Sequence, residues 1–129
     1  MRQRVPASDA LLAGVAGASA VALGAFGAHA LRGTLGDAAL ATWHTGVEYH
    51  FWHALALFVA VAVLPAGTSR GVAVWSFVAG IVLFSGSLYA LALGAPRLAG
   101  VITPFGGVAF IVGWLAAAWS LRSPRPAAA

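Results

Sequence analysis

The chain has 129 residues, of which 61% are hydrophobic and 8% are charged, and it carries a net charge of +4 and no cysteine. An ordinary soluble domain has about 25% charged residues, so this composition excludes a soluble globular domain, and its apolar excess excludes a disordered chain. Without cysteine, a disulfide framework and a thiolate metal site are excluded as well.

Formal charges divide the chain into four uncharged windows, each about as long as one membrane crossing. The residues that bound them are Asp9, Arg32, Glu48, Arg70, Arg97 and Arg122. A helix needs ~20 residues to cross the hydrocarbon core, and backbone groups in lipid must pair within their own segment. The sequence therefore predicts an all-α membrane protein. We expect a four-transmembrane-helix bundle in a single membrane domain, residues 1–129, with spans at about 10–30, 47–64, 71–93 and 101–121.

The first window also has features of a secretory signal, with arginines before it and small residues at 28 and 30. Its uncharged stretch is longer than the usual apolar region of about 7–15 residues, and glycines interrupt it. We interpret it as a retained span rather than a cleaved one. Pro6, Ser8 and Asp9 precede it and offer helix-capping chemistry.

Only the first connection is long, and residues 37–45 within it have a helical pattern with Leu40 and Trp43 on one side. We expect either a short interfacial helix or an extension of the second span. Tryptophan is enriched where headgroups meet the hydrocarbon core, so Trp43 is predicted to lie in the headgroup belt.

Arginine counting gives the orientation. With four spans, one side of the membrane carries Arg2, Arg4, Arg70, Arg122 and Arg125, and the opposite side carries Arg32 and Arg97. The positive-inside rule then places both termini in the cytoplasm. No arginine cluster is dense enough to indicate a nucleic-acid partner, so the predicted partner is the lipid bilayer.

Polar residues of all four spans gather in the outer half of the predicted bundle. Intramembrane ionisable groups are functional candidates by default, although such residues also commonly bond across helices or reach interfacial water. The sequence therefore leaves open whether this candidate polar cluster locks the bundle or holds a small ligand. Its members are His29, Glu48, His50, His53, Ser85, Ser87, Tyr89 and Thr103.

Small residues recur every fourth position along the first span and in parts of the third and fourth. Such stripes let membrane helices approach closely, and the first helix, which is small on two faces, is expected to pack centrally. The predicted helix-packing residues are Gly14, Ala18, Gly24, Gly27, Gly80, Gly86 and Gly113. Bulky aromatics suit lipid contact or gap filling, and Trp75 and Trp119 suit the inner interface.

Five segments, in order, resemble a known family. They are the blocks 24–29 (GAFGAH), 45–50 (TGVEYH), 53–55 (HAL), 83–89 (LFSGSLY) and 102–107 (ITPFGG). Together they are similar to the YgdD-like family of small four-helix inner-membrane proteins, a domain of unknown function. The resemblance implies four spans with cytoplasmic termini and no established activity, cofactor or catalytic residue. Relatives often have Gln at the position of His50, which weakens a metal-ligand pair of His50 and His53.

The leading functional hypothesis is a structural or accessory membrane protein that self-associates or serves a larger complex. A small proton-coupled transporter is one alternative, although its acid, Glu48, starts the second span instead of lying deep in the first. A haem- or metal-carrying anchor is another, because neutral imidazoles of His29, His50 and His53 suit such ligands. No catalytic motif or metal-binding pattern accompanies them, so we predict no cofactor, no metal and no enzyme.

Overall fold

A computed structural model describes residues 4–122, and it contains four helices long and apolar enough to cross a membrane. They are α1 (Ala7–Leu31), α2 (Asp37–Val63), α3 (Thr68–Ala92) and α4 (Arg97–Ser120). The prediction of a four-helix, all-α membrane protein is confirmed. Arg2 and Arg125, which the charge count includes, lie outside the described residues.

Residues 37–45 form the first turns of α2, which continues without interruption to Val63. A separate interfacial helix is therefore not formed, and of the two alternatives the structure has the helix extension. Trp43 also differs from its prediction, because it is 2% exposed and packs within the bundle. Its indole Nε1–H donates to the Leu23 carbonyl at 3.0 Å. A partner on α1 satisfies the indole there without headgroup water.

The central helix is α2, and the prediction that α1 packs centrally is wrong. Eight residues of α2 are buried. Between Ala7 and Phe26 of α1, only Ala13 and Ala20 are buried. Side chains of α2 contact α1, α3 and α4, whereas α1 packs mainly on α2. The small residues of α1 let it lie close to α2, but they provide too little side-chain volume to fill a core from both sides.

An ion pair joins three helices at the end of the bundle where α1 and α3 begin. One guanidinium nitrogen of Arg70 donates to the Asp9 carboxylate at 2.8 Å, and the other donates to the Val61 carbonyl at 3.3 Å. The predicted capping by Ser8 and Asp9 is wrong, because α1 begins at Ala7 and no side chain caps it. The carboxylate of Asp9 is instead held by Arg70 on α3.

Aromatic rings of α3 and α4 pack against glycines of the opposite helix. A Cβ on Gly80 would collide with the Phe110 ring, one on Gly113 would lie 2.7 Å from the Phe77 ring, and one on Gly106 would collide with the Phe84 backbone. Phe77 and Phe110 are 1% and 4% exposed, so these aromatics fill the core. Glycine thus sets the spacing of the two helices.

The other predicted packing residues divide into two groups. At Gly24 a Cβ would meet Val47 at 3.3 Å, and at Gly27 it would meet the Trp43 indole at 2.5 Å. The prediction is wrong within this chain for Gly14 and Ala18, which face outward from α1, and a Cβ on Gly14 would have no neighbouring atom within 4 Å. Gly86 approaches only the Ile81 carbonyl, at 4.0 Å. A four-residue spacing identifies a helix face made of small residues, but it does not show which such face packs against another helix.

Gly106 and Gly107 offer a matched pair of substitutions that tests the close approach of α3 and α4. Gly106→Ala forces a methyl group into the Phe84 backbone, whereas Gly107→Ala places it 3.9 Å from the Phe84 ring edge. We expect Gly106→Ala to lower the free energy of unfolding by about 1–3 kcal/mol or more, the usual cost of overpacking. Gly107→Ala should change it by less than about 0.5 kcal/mol. Unfolding in mixed detergent and SDS measures both, and equal losses would contradict the geometry.

Candidate functional site

The two central histidines of α2 are buried, with His50 at 3% and His53 at 6% exposed. They are three residues apart on one helix and so lie on adjoining parts of its surface. His50 lies between α1 and α3, and His53 lies against α4. We call these two side chains and their partners Ser19, Tyr89 and Trp114 the histidine network.

The first branch of the network runs through His50 from α3 to α1. Its Nε2 lies 3.0 Å from the Ala16 carbonyl and 3.1 Å from Ser19 Oγ, and its Nδ1 lies 2.9 Å from the Tyr89 hydroxyl. A carbonyl oxygen only accepts, so in the neutral ring Nε2 carries the proton and donates it. The Tyr89 hydroxyl then donates to Nδ1. One imidazole therefore connects three helices.

The second branch runs through His53 to α4, with the opposite tautomer. Nδ1 lies 2.7 Å from the Tyr49 carbonyl one turn earlier and donates to it, while the Trp114 indole N–H donates to Nε2 at 3.1 Å. The imidazole also stacks on the Phe110 ring, with centroids 3.5 Å apart and planes within 10° of parallel. Both ring nitrogens are thus hydrogen-bonded, one to a carbonyl that can only accept and the other to an indole N–H that can only donate.

The hydroxyls of the predicted cluster form two further bonds between helices. Ser85 is fully buried, and its hydroxyl donates to the Gly46 carbonyl of α2 at 2.7 Å. Ser87 donates to the Phe84 carbonyl at 2.9 Å and lies 2.6 Å from the Thr103 hydroxyl of α4. Gly46 is needed beside Ser85, because a Cβ there would come within 2.9 Å of the Tyr89 ring.

Six of the eight predicted cluster residues are therefore held in bonds across the bundle, and two are not. Those six are His50, His53, Ser85, Ser87, Tyr89 and Thr103. His29 and Glu48 are exposed on α1 and α2, and within residues 4–122 neither side chain makes a hydrogen bond or ion pair. A histidine triad including His29 is not assembled, and no metal-binding group of three His, Asp or Glu side chains is found in the described part of the chain.

Sequence reasoning misses three contributors. Ser19 lies in the middle of the first span. The predicted cluster contains only polar residues of the outer half of the bundle, so it leaves Ser19 out. Trp114 carries an indole N–H inside the last two turns of α4, and an indole N–H within a span signals a nearby acceptor. Tyr49 contributes its carbonyl to His53 and its ring to contacts with Phe84 and Phe110.

All buried side-chain nitrogen and oxygen atoms of the described residues have a hydrogen-bond partner. The fold and this network define a class, a small four-span integral membrane protein with a polar core that is bonded internally. The comparisons with known proteins assign the family.

A family model described as a protein of unknown function, DUF423, matches residues 23–107. The UPF0382 membrane protein YwdK of Bacillus subtilis is 52% identical over 99 residues, which cover 74% of this chain and 80% of the relative. The UPF0382 inner membrane protein YgdD of Escherichia coli K12 is 43% identical over 110 residues, 81% of each chain. A UPF0382 protein of Staphylococcus aureus is 47% identical over 98 residues, 74% of this chain and 80% of the relative. No solved structure matches.

The chain belongs to the DUF423, or UPF0382, family of membrane proteins, and the resemblance seen in its motifs is confirmed. Both partners of four interhelical hydrogen bonds lie inside the matched segment: Trp43 with Leu23, His50 with Tyr89, Ser85 with Gly46, and Ser87 with Thr103. Ser19 and Trp114 lie outside it.

His50 tests whether the network depends on hydrogen bonding or on volume. His50→Gln keeps one donor and one acceptor for Ala16 and Tyr89, so we expect a small loss of stability. His50→Leu leaves the Tyr89 hydroxyl and the Ala16 carbonyl without that partner, and it should cost about 1–2 kcal/mol, as for interhelical bonds in membranes. SDS unfolding titrations measure the difference. His29→Leu, on the exposed surface, is the control and should match wild type, and equal losses for the Gln and Leu variants would contradict this account.

Proposed function

We propose that the protein is a structural or accessory subunit of a bacterial inner membrane, which self-associates or serves a larger membrane complex. The observation that supports this most is the histidine network, in which all four ring nitrogens of His50 and His53 are bonded to α1, α2, α3 and α4. A ligand or metal would have to displace these bonds to reach either imidazole. The arrangement favours a role in holding one bundle geometry.

The lipid-facing surface is consistent with this role. Exposed large side chains follow all four helices, and examples are Leu11, Phe58, Trp75, Val82 and Leu115. Helix contacts in lipid rest on packing and hydrogen bonds, since lipid tails are as apolar as the side chains. A bundle whose polar groups are satisfied internally can present such a surface to a partner without exposing an unpaired polar atom to lipid.

Assembly in native membranes tests this role. We expect crosslinking in intact membranes to give a product larger than the monomer. The double variant His50→Leu with Tyr89→Phe removes both partners of the His50–Tyr89 bond. It also removes the His50 bond to the Ala16 carbonyl, which keeps the Ser19 hydroxyl as a donor, so the variant should fold and keep that product. A protein that remains monomeric in membranes would contradict the proposal. A double variant that folds as well as wild type and loses the assembly would indicate a functional site instead of a structural bond.

Both termini are proposed to be cytoplasmic, and single cysteines test this orientation directly. The chain has no cysteine, so one introduced residue is the only thiol. We expect Gly33→Cys, between α1 and α2, to react with a membrane-impermeant maleimide in intact spheroplasts. Ala66→Cys, between α2 and α3, should react only after the membrane is opened. Both positions are exposed, and the reverse labelling pattern would overturn the orientation.

A further inference from the structure

A cavity of about 830 Å³ opens at the end of the bundle where α1 and α3 begin and α2 ends. The side chains of Arg4 and Arg70 line it together with an apolar wall formed by Val61 and Val63 of the last turn of α2 and by Leu64 just after it. The cavity is separate from the histidine network, and none of the network residues lines it. It combines a cationic rim with an apolar wall at a helix end.

The charges of this cavity favour an anion. Arg70 uses two of the five guanidinium N–H donors for Asp9 and the Val61 carbonyl within residues 4–122. The Asp9 carboxylate neutralises one of the two arginines, so Arg4 and Arg70 together keep one net positive charge. Helix α1 also begins here with no side-chain cap, and its first N–H groups add a partial positive charge.

A second polar feature faces the same space. The last carbonyls of an α-helix lack intrahelical partners, and α2 ends at Val63 beside Ala62, both of which line the cavity. The Arg70 guanidinium already donates a hydrogen bond to the Val61 carbonyl. Carbonyl groups accept hydrogen bonds from hydroxyl or ammonium groups, so an anion with donors next to it matches this cavity better than a bare anion does.

We propose that this cavity binds one membrane phospholipid through its head group. The phosphodiester lies against Arg4 and Arg70, hydroxyl or ammonium donors of the head group face the carbonyl end of α2, and an acyl chain follows the Val61–Leu64 wall. Basic pockets at a membrane surface hold lipid head groups in this way. This inference does not depend on the proposed accessory role, because it concerns a different surface of the bundle.

Lipid binding to the purified full chain tests the site. Native mass spectrometry in mild detergent, with phosphatidylglycerol as the probe, should show one retained lipid. Arg4→Gln should weaken its binding by about fivefold, the value of one basic side chain near an anionic lipid. Ala66→Glu places a carboxylate in the cavity lining and should weaken it at least as much. Phosphatidylcholine, whose head group has no hydrogen-bond donor, should bind less than phosphatidylglycerol.

Arg32→Gln is the matched control, since it removes the same charge from an exposed residue at the opposite end of the bundle. Its lipid binding should equal that of wild type. An equal loss in Arg4→Gln and Arg32→Gln would mean general charge attraction and would overturn the site. If glycerol phosphate alone stabilises the purified protein against unfolding as much as phosphatidylglycerol does, the assignment to a lipid is overturned. Arg4 and Ala66 are both exposed, so neither variant removes a core contact.

Discussion

A polar side chain inside a lipid-embedded helix has no water to bond with, and this constraint organises the bundle. Helix α2 carries two histidines in its middle, and each needs a donor or acceptor from elsewhere in the protein. The partners lie on different helices: the Ala16 carbonyl on α1, Tyr89 on α3 and Trp114 on α4. Only a central position allows α2 to reach all three, so the placement of its histidines and the burial of α2 have one cause.

Hydrogen bonds specify which helices meet, but glycine determines how closely they approach. The ring of Phe110 takes the space that a side chain at Gly80 would fill, and Phe77 does the same at Gly113. The stacking of His53 on Phe110 requires that close approach. A larger residue at Gly80 would displace Phe110 and with it the surface on which His53 rests. Packing and hydrogen bonding are therefore coupled at the contact of α2, α3 and α4.

The sequence predicts the spans well because charge-free length is a direct physical requirement of the bilayer. It also predicts that polar residues of different spans gather at similar depth, since depth follows from position along a helix. Depth does not give the direction in which a side chain points. It therefore groups His29 and Glu48 with His50, although those two lie on exposed faces. Trp43 is predicted to lie in the headgroup belt because tryptophan is enriched there, and nothing in the sequence reveals the Leu23 carbonyl that accepts its N–H.

The interior of the bundle and the end where α1 and α3 begin are held together by different interactions, and depth explains the division. His50 and His53, with their neutral hydrogen bonds, lie in the middle of α2, where a formal charge is most costly. The ion pair of Asp9 and Arg70 lies within the first turns of α1 and α3, where the two side chains remain 23% and 15% exposed. A charged pair near a helix end keeps part of its hydration, so it connects helices without the full desolvation cost of a buried one. The same partial exposure leaves Arg70 beside an open cavity. The interaction that closes this end of the bundle is thus also the one that gives it a charged surface.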